Sequence, residues 1–287
     1  MSFIKSVYED NNKITLTKFD GLSMPTYEGD SYDQEIFKIA LLDIETTGLN
    51  KQSDQIVELA IKVVAVQKLT GELLGVIDSY ESFNDPGQPI SESAMRVNRI
   101  TNEMVSGYEI DWSIAESLLK VSDIIVAHNA QFDRGFIDQK LPVSRSKIWA
   151  CSMKDIDWFE RGFTNNKQEL LCIWHGFFFE SHRAMGDVDA LIHLVTHFSY
   201  ELNELPFGEL IQNSYKPIYK ISATNSDFET KDTLKANGYN WDSELRVWWK
   251  TIKREEIENE KEWLTENVYH GHFMGIVEEV QAVDKYK

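Results

Sequence analysis

Residues 37–42 form an apolar, strand-like run that leads straight into Asp43-Ile44-Glu45, and Thr46-Thr47-Gly48 then breaks it. Residues 55–64, rich in β-branched side chains, read as a second strand. Residues 73–83 read as a third, joined to the second by a turn at Thr70-Gly71. Asp85-Pro86-Gly87 closes this series. Ser91 then starts a short helix, Thr101 caps another, and residues 113–120 predict a third. A short apolar strand over 124–128, a helix over 130–140, a strand over 148–151 and helices over 167–174 and 185–200 follow. Three leading strands and then alternating helices and strands predict an α/β sandwich around a mixed sheet.

The flanks are less patterned. Residues 1–35 are polar, acidic and rich in turn residues, and predict a loosely packed N-terminal extension without chemistry, with one short strand at 14–17. The main domain then covers 36–205. Residues 206–217 read as a linker, 218–270 as a small Trp-rich module, and 271–287 as a tail with no legible role.

Composition narrows the class. With 42% hydrophobic and 26% charged residues among 287, the chain reads as an ordinary soluble globular protein. Its apolar runs fall short of the roughly 20 residues that span a bilayer, so no membrane partner is expected. Cys151 and Cys172 form no Cys-x-x-Cys pair, which predicts a reducing, cytoplasmic setting without a disulfide frame or zinc. The net charge of −18 excludes a broad basic footprint, so any nucleic-acid contact must be local, short or metal-assisted.

Chemistry enters with the carboxylates. On a strand, residues two apart share a face, so Asp43 and Glu45 project together. Each raises the other's pKa unless a cation intervenes, and hard oxygen donors favour Mg²⁺ or Mn²⁺. Taken alone, the pair reads equally as a solvated strand end. Asp133 falls at a helix start just past a strand end. Asp187 does the same, five residues after His182. Singly, these read as helix caps and a bystander histidine.

Together, Leu42-Asp43-Ile44-Glu45-Thr46-Thr47-Gly48-Leu49, Ala127-His128-Asn129-Ala130-Gln131-Phe132-Asp133 and His182-Arg183-Ala184-Met185-Gly186-Asp187 resemble, in order, the three motifs of the DEDD exonuclease superfamily. The match is to its histidine-bearing subclass, which includes the proofreading epsilon subunit of bacterial replicative DNA polymerases. Residues 89–101 resemble the family's intervening stretch, although Asn98-Arg99 stands where the family usually has His-Gly. The resemblance covers residues 36–200. It implies a ribonuclease H-like fold, a mixed five-stranded sheet flanked by helices, here followed by the small α+β module.

The resemblance also implies a 3′→5′ exonuclease that releases 5′-mononucleotides with two divalent cations, Mg²⁺ or Mn²⁺, about 4 Å apart. In that scheme Asp43 bridges the two ions, Glu45 and Asp187 hold the one carrying the attacking water, and Asp133 holds the other. His182 is the general base, since an imidazole titrates near working pH. The backbone around Thr46 and Thr47 would meet the terminal 3′-hydroxyl, and Leu49 would pack on the last base. His128 and Asn129 shape the turn before Asp133. Asp189 is read as solvated or as a support behind the ligands.

Single-stranded DNA 3′ ends are the favoured substrate. RNA ends are an alternative, because related exonucleases trim RNA with the same motifs. A non-catalytic nucleic-acid-binding or adaptor protein on the same fold is the alternative of another class; its mark would be loss of an acidic ligand or of the histidine, and all five are present. A polymerase or repair partner has no support in the sequence, and the oligomeric state is not legible. In the C-terminal module, Trp241, Trp248 and Trp249 interleave with Lys231 and Lys235, which suits single-strand contacts by stacking. The same tryptophans equally suit the core of a small domain. The acidic run over 255–262 reads as a solvated helix face and speaks against a uniformly basic surface.

Overall fold

The apolar run that ends in Asp43 lies at the centre of a sheet. The structure, a computed structural model, describes residues 15–21, 24–29, 34–197 and 204–287. It divides into two units, residues 1–215 together with Tyr286 and Lys287, and residues 216–285.

In the first unit β1 (Thr17–Lys18) is a two-residue strand. β2 (Ile36–Thr46), β3 (Ile56–Gln67), β4 (Leu73–Phe83), β5 (Ile124–Ala127) and β6 (Ile148–Cys151) form a five-stranded sheet in the order β4-β3-β2-β5-β6. β2, β3 and β4 are mutually antiparallel, while β5 and β6 run parallel to β2. Gly71 makes the β3–β4 turn at φ +73°, and a Cβ there would lie 2.4 Å from the Gly208 amide nitrogen, so only glycine fits.

The helices are α1 (Glu92–Asn98), α2 (Asn102–Val105), α3 (Trp112–Val121), α4 (Ala130–Lys140), α5 (Gln168–Trp174), α6 (Ala184–Val195) and α7 (Pro206–Ser214). Ser91 and Thr101 cap α1 and α2 through their hydroxyls, as their positions predicted. The central strands are buried on both faces, so their apolar side chains alternate between two cores. Ile39 and Leu41 face one core with Leu191 of α6 and Phe207 of α7. Ala40, Leu42 and Ile44 face the other with Leu119 of α3 and Phe136 of α4. Asp43 and Glu45 continue the Ile39–Leu41 face, which puts them on the side covered by α6. The register pairs Glu45 with Glu58 and then slips so that Thr46 meets Ile56, a bulge at the carboxylate end of β2.

Two flanking expectations change. Residues 206–217, expected as a linker, contain α7, whose Phe207, Leu210 and Ile211 are buried in the core. Pro206 is not a breaker there; it occupies the first helical turn, where its missing N–H costs nothing. The described part of residues 1–35 is not a loose extension either. β1 pairs in parallel with β7 (Phe177–Phe178), and Tyr27 and Val76 are joined by a backbone hydrogen bond of 2.8 Å. Ile14 and residues 198–200, parts of an expected strand and helix, lie outside the described residues.

The second unit is a four-stranded antiparallel sheet, β8 (Ile218–Ala223), β9 (Asn240–Asp242), β10 (Val247–Ile252) and β11 (Ile276–Val280), in the order β11-β8-β10-β9. With α8 (Lys231–Ala236) and α9 (Ile257–Leu264) it encloses a core of Ile221, Leu234, Tyr239, Ile252, Leu264 and Val268. The expected tail at 271–287 is thus structural: it supplies β11, and Tyr286 joins the core of the first unit. Among the described residues no helix is long and apolar enough to cross a membrane.

Candidate active site

The strand period delivers Asp43 and Glu45 to one face, and the first turn of α6 brings Asp187 to them. Oxygens of these three carboxylates lie within 4.8 Å of one another. Asp133, in the first turn of α4, reaches the same strand end by accepting a hydrogen bond from the Ile44 amide. Its Oδ1 is buried with no hydrogen-bond partner.

Burial and mutual repulsion hold these groups toward the neutral form. Burial, then the Asp187, Asp133 and Glu45 charges, pushes Asp43 well above the usual carboxylate range. Burial, then the Asp187, Glu58 and Asp133 charges, pushes Glu45 up to about 8. Burial pushes Asp133 to about 8 as well, against the backbone amides that favour its charged form. Asp187 is pushed by burial to about 7, although the amides of His182 and Arg183 donate to its carboxylate. Asn98, which replaces the family's usual histidine, is buried; its amide donates to the Thr46 carbonyl at 3.3 Å and also hydrogen-bonds Glu45.

His182 sits at φ +67°, and its side chain is 51% exposed with Nδ1 4.0 Å from Glu45 Oε1. The residues after it are tied to β3. Arg183 donates to Glu58 through Nη2 at 3.0 Å and Nε at 3.3 Å, and the Ala184 amide donates to the other Glu58 oxygen at 3.0 Å.

The turn after Glu45 is tightly bonded. Thr47 donates its hydroxyl to Asp54 at 3.0 Å and its amide to the Gln55 carbonyl at 2.9 Å, so that amide is not an open donor. Asp54 also accepts from the Asn50 amide at 2.8 Å. At the tip of this turn Leu49 is 86% exposed. His128 is fixed and neutral: Nδ1 bonds Ser152 Oγ at 2.8 Å, Nε2 accepts from the Gln168 amide at 3.1 Å, and burial lowers its pKa to about 4. Asn129 takes the left-handed conformation immediately before α4, at φ +65°.

Asp189 departs from the solvated reading, because it forms a buried ion pair with Lys62. The aromatic candidates of the second unit also separate. Trp248 packs against that unit's core. Trp241 stays 49% exposed against it, with ring centroids 5.5 Å apart. Trp249 lies under the Lys220 ammonium at 5.0 Å, Lys231 covers the exposed Phe228 ring at 4.1 Å, and Lys235 is exposed.

Clustered, desolvated carboxylates with an orphaned buried oxygen suit a hard divalent cation, whose charge would return all four to the ionised form. Asp43, Glu45, Asp187 and Asp133 are the residues that could hold one. The sequence passed over Glu58 and gave no role to Asn98 or Arg183. The available signal for Glu58 was a carboxylate between Val57 and Leu59 in a mostly apolar strand whose other charged residue is Lys62.

A family model described as exonuclease matches residues 41–195, more than half of the chain. Among curated proteins, the chain is 32% identical over 172 residues to the PolC-type DNA polymerase III of Listeria innocua, an alignment covering 58% of this chain and 11% of that protein. It is 40% identical over 121 residues to the PolC-type DNA polymerase III of Staphylococcus haemolyticus, covering 42% of this chain and 8% of that protein. The chain thus spans about a tenth of the length of these relatives. Among solved structures, exonuclease I shares the fold with a TM-score of 0.52 at 16% identity, over 76% of this chain and 62% of that one.

Proposed function

Since the chain belongs to the exonuclease family and is a nuclease hydrolase, we propose that it shortens single-stranded DNA from the 3′ end, releasing 5′-mononucleotides. The observation that carries this reading is the convergence of Asp43, Glu45 and Asp187, with His182 Nδ1 4.0 Å from Glu45. DNA is preferred to RNA because the aligned relatives are DNA polymerases; the proposal concerns only the exonuclease reaction.

Asp43, Glu45, Asp133 and Asp187 would hold two divalent cations, Mg²⁺ or Mn²⁺. When bound, such ions lower the pKa of water and neutralise charge on the phosphate. The chain supplies the rest. His182, half exposed and beside Glu45, takes the proton of the attacking water. The water oxygen bonds to phosphorus as the bond to the leaving O3′ breaks, and that oxygen takes a proton from solvent to become the 3′-hydroxyl of the shortened strand. Leu49 packs on the terminal base, and the backbone around Thr46 and Thr47 meets the terminal 3′-hydroxyl. In the second unit, Trp241 and Lys231 are the side chains offered to a single strand, with Lys235, Trp248 and Trp249 as lesser contacts.

The test is a 5′-labelled single-stranded DNA oligomer with Mg²⁺, Mn²⁺ or EDTA, beside RNA of the same sequence. A cation-dependent ladder shortening from the 3′ end, absent in Asp43→Ala and His182→Ala, is expected. Full activity in those variants, or shortening from the 5′ end, contradicts the proposal. Faster loss of the RNA would reassign the substrate.

A further inference from the structure

We propose that Glu58 and Arg183 form a clamp that holds His182 over Glu45, which makes Glu58 a positioning residue for the reaction. The catalytic part of this inference rests on the general-base reading of His182; the structural part does not.

A carboxylate taken out of water must find donors, and the Glu58 side chain is only 8% exposed. All its donors come from one place. Both Arg183 contacts and the Ala184 amide belong to the two residues directly after His182. With those donors engaged, Glu58 is not free to act as a further cation ligand, and it stands outside the carboxylate trio whose oxygens converge.

His182 needs such a clamp. Its left-handed backbone is unfavourable for a residue with a β-carbon, and its ring is half exposed, so packing does not fix it. Its direction follows from how the turn is held at both ends. From the α6 side, the Asp187 carboxylate binds the amides of His182 and Arg183. From the sheet side, Glu58 binds Arg183 and Ala184. The register makes the second hold specific: Glu58 is the cross-strand partner of Glu45, the carboxylate that His182 approaches. On the next strand Phe83 pairs with Glu58 and carries the Arg183 guanidinium on its ring at 5.2 Å. Phe83, Glu58 and Glu45 thus form one row across three strands, and the histidine turn is fastened along it. An ion pair whose arginine is half exposed is a weak source of net stability, so its placement here is accounted for better by geometry than by fold energy.

The experiment compares E58Q, R183M and the apolar double variant E58L/R183M, each with His182 intact and in the H182A background. Substrate is 5′-labelled single-stranded DNA at saturating Mg²⁺, and amide exchange at Ala184 is followed by NMR. The double variant replaces both charges with apolar groups, which preserves folding where a lone buried charge would not. With His182 present, kcat should fall about 10- to 100-fold in each variant while KM moves little. The double should lose no more than the worse single, because the pair acts as a unit. In the H182A background the same changes should cost almost nothing further. Ala184 exchange should accelerate in the double variant. A folded double variant with wild-type kcat overturns the proposal, as does an E58Q loss of equal size without His182. Unchanged Ala184 exchange also overturns it. Wild-type activity in H182A would instead remove the general-base reading, and Ala184 exchange would still decide whether Glu58 holds the turn.

Discussion

Lys62 on β3 and Asp189 on α6 meet as an ion pair in which each side chain is only 11% exposed. The pair ties α6 to the sheet two residues beyond Asp187, so it anchors the helix that presents a candidate ligand. Removing one partner leaves a buried charge uncompensated. Asp189→Ala or Lys62→Met should therefore cost about 3–5 kcal/mol in urea unfolding. The paired change K62M/D189L should cost much less; an equal loss would show that packing, not charge, is what matters there.

Divalent cations should stabilise the folded chain, and more so at higher pH. Glu45 and Asp133 titrate at about 8 and Asp187 at about 7 when folded, against about 4 for such groups in an unfolded chain. The folded form binds the extra protons, so the stability these groups contribute is complete below about pH 4 and lost as pH rises through 7 to 8. His128 works in the opposite sense. Held at about 4, it contributes fully above about pH 6.5 and loses this as pH falls. The two windows overlap between about pH 4 and 6.5 and oppose each other there, so without cations the melting temperature should fall most clearly between about pH 6.5 and 8.5. Mg²⁺ or Mn²⁺ should raise it more at pH 8 than at pH 5.5. Asp43→Asn should raise the cation-free value and remove most of the cation response; an intact response would move the cation away from this cluster.

Arg99 ends α1 in the left-handed conformation, at φ +57°, with its amide bonded to the Met95 carbonyl. Glycine adopts that conformation without steric cost, and a residue with a β-carbon does not. Arg99→Gly should stabilise the chain by about 0.5–1 kcal/mol. Thermal unfolding reads this directly, and a destabilised variant would mean that the arginine side chain does more than tolerate its backbone.

Trp241 and Trp248 should behave differently although they touch. Trp248→Ala uncovers the core of the second unit, against which Trp248 packs partly buried, and should cost about 2–3 kcal/mol. Trp241→Ala, at a half-exposed position, should cost less than about 1 kcal/mol. If Trp241 stacks on bases, its loss should weaken single-stranded DNA binding by about 1–3 kcal/mol in a fluorescence titration. Unchanged affinity would leave it a surface residue only.

Much of the site is legible because its parts are local. A period of two puts Asp43 and Glu45 on one face, and the hydroxyls of Ser91 and Thr101 mark their helices without tertiary information. What escapes is pairing across the chain. Glu58 and Arg183 are 125 residues apart, and Lys62 and Asp189 are 127 apart; neither leaves a periodic trace. β1 and β7 are two residues each and too short to show alternation. α7 was hidden by Pro206, which reads as punctuation until its place in the first turn is seen. β11, with polar Glu278 and Glu279 among its five residues, reads as tail until it pairs with β8.

The four carboxylates are shared among β2, α4 and α6. During synthesis the chain is complete through all five strands of the main sheet before Asp187 leaves the ribosome. Loop closure between β2 and α6 must then bring the last carboxylate to the first two. Until then a nascent chain holds Asp43, Glu45 and Asp133 without the fourth carboxylate. The carboxylate cluster is thus completed in one step, with the docking of a single helix.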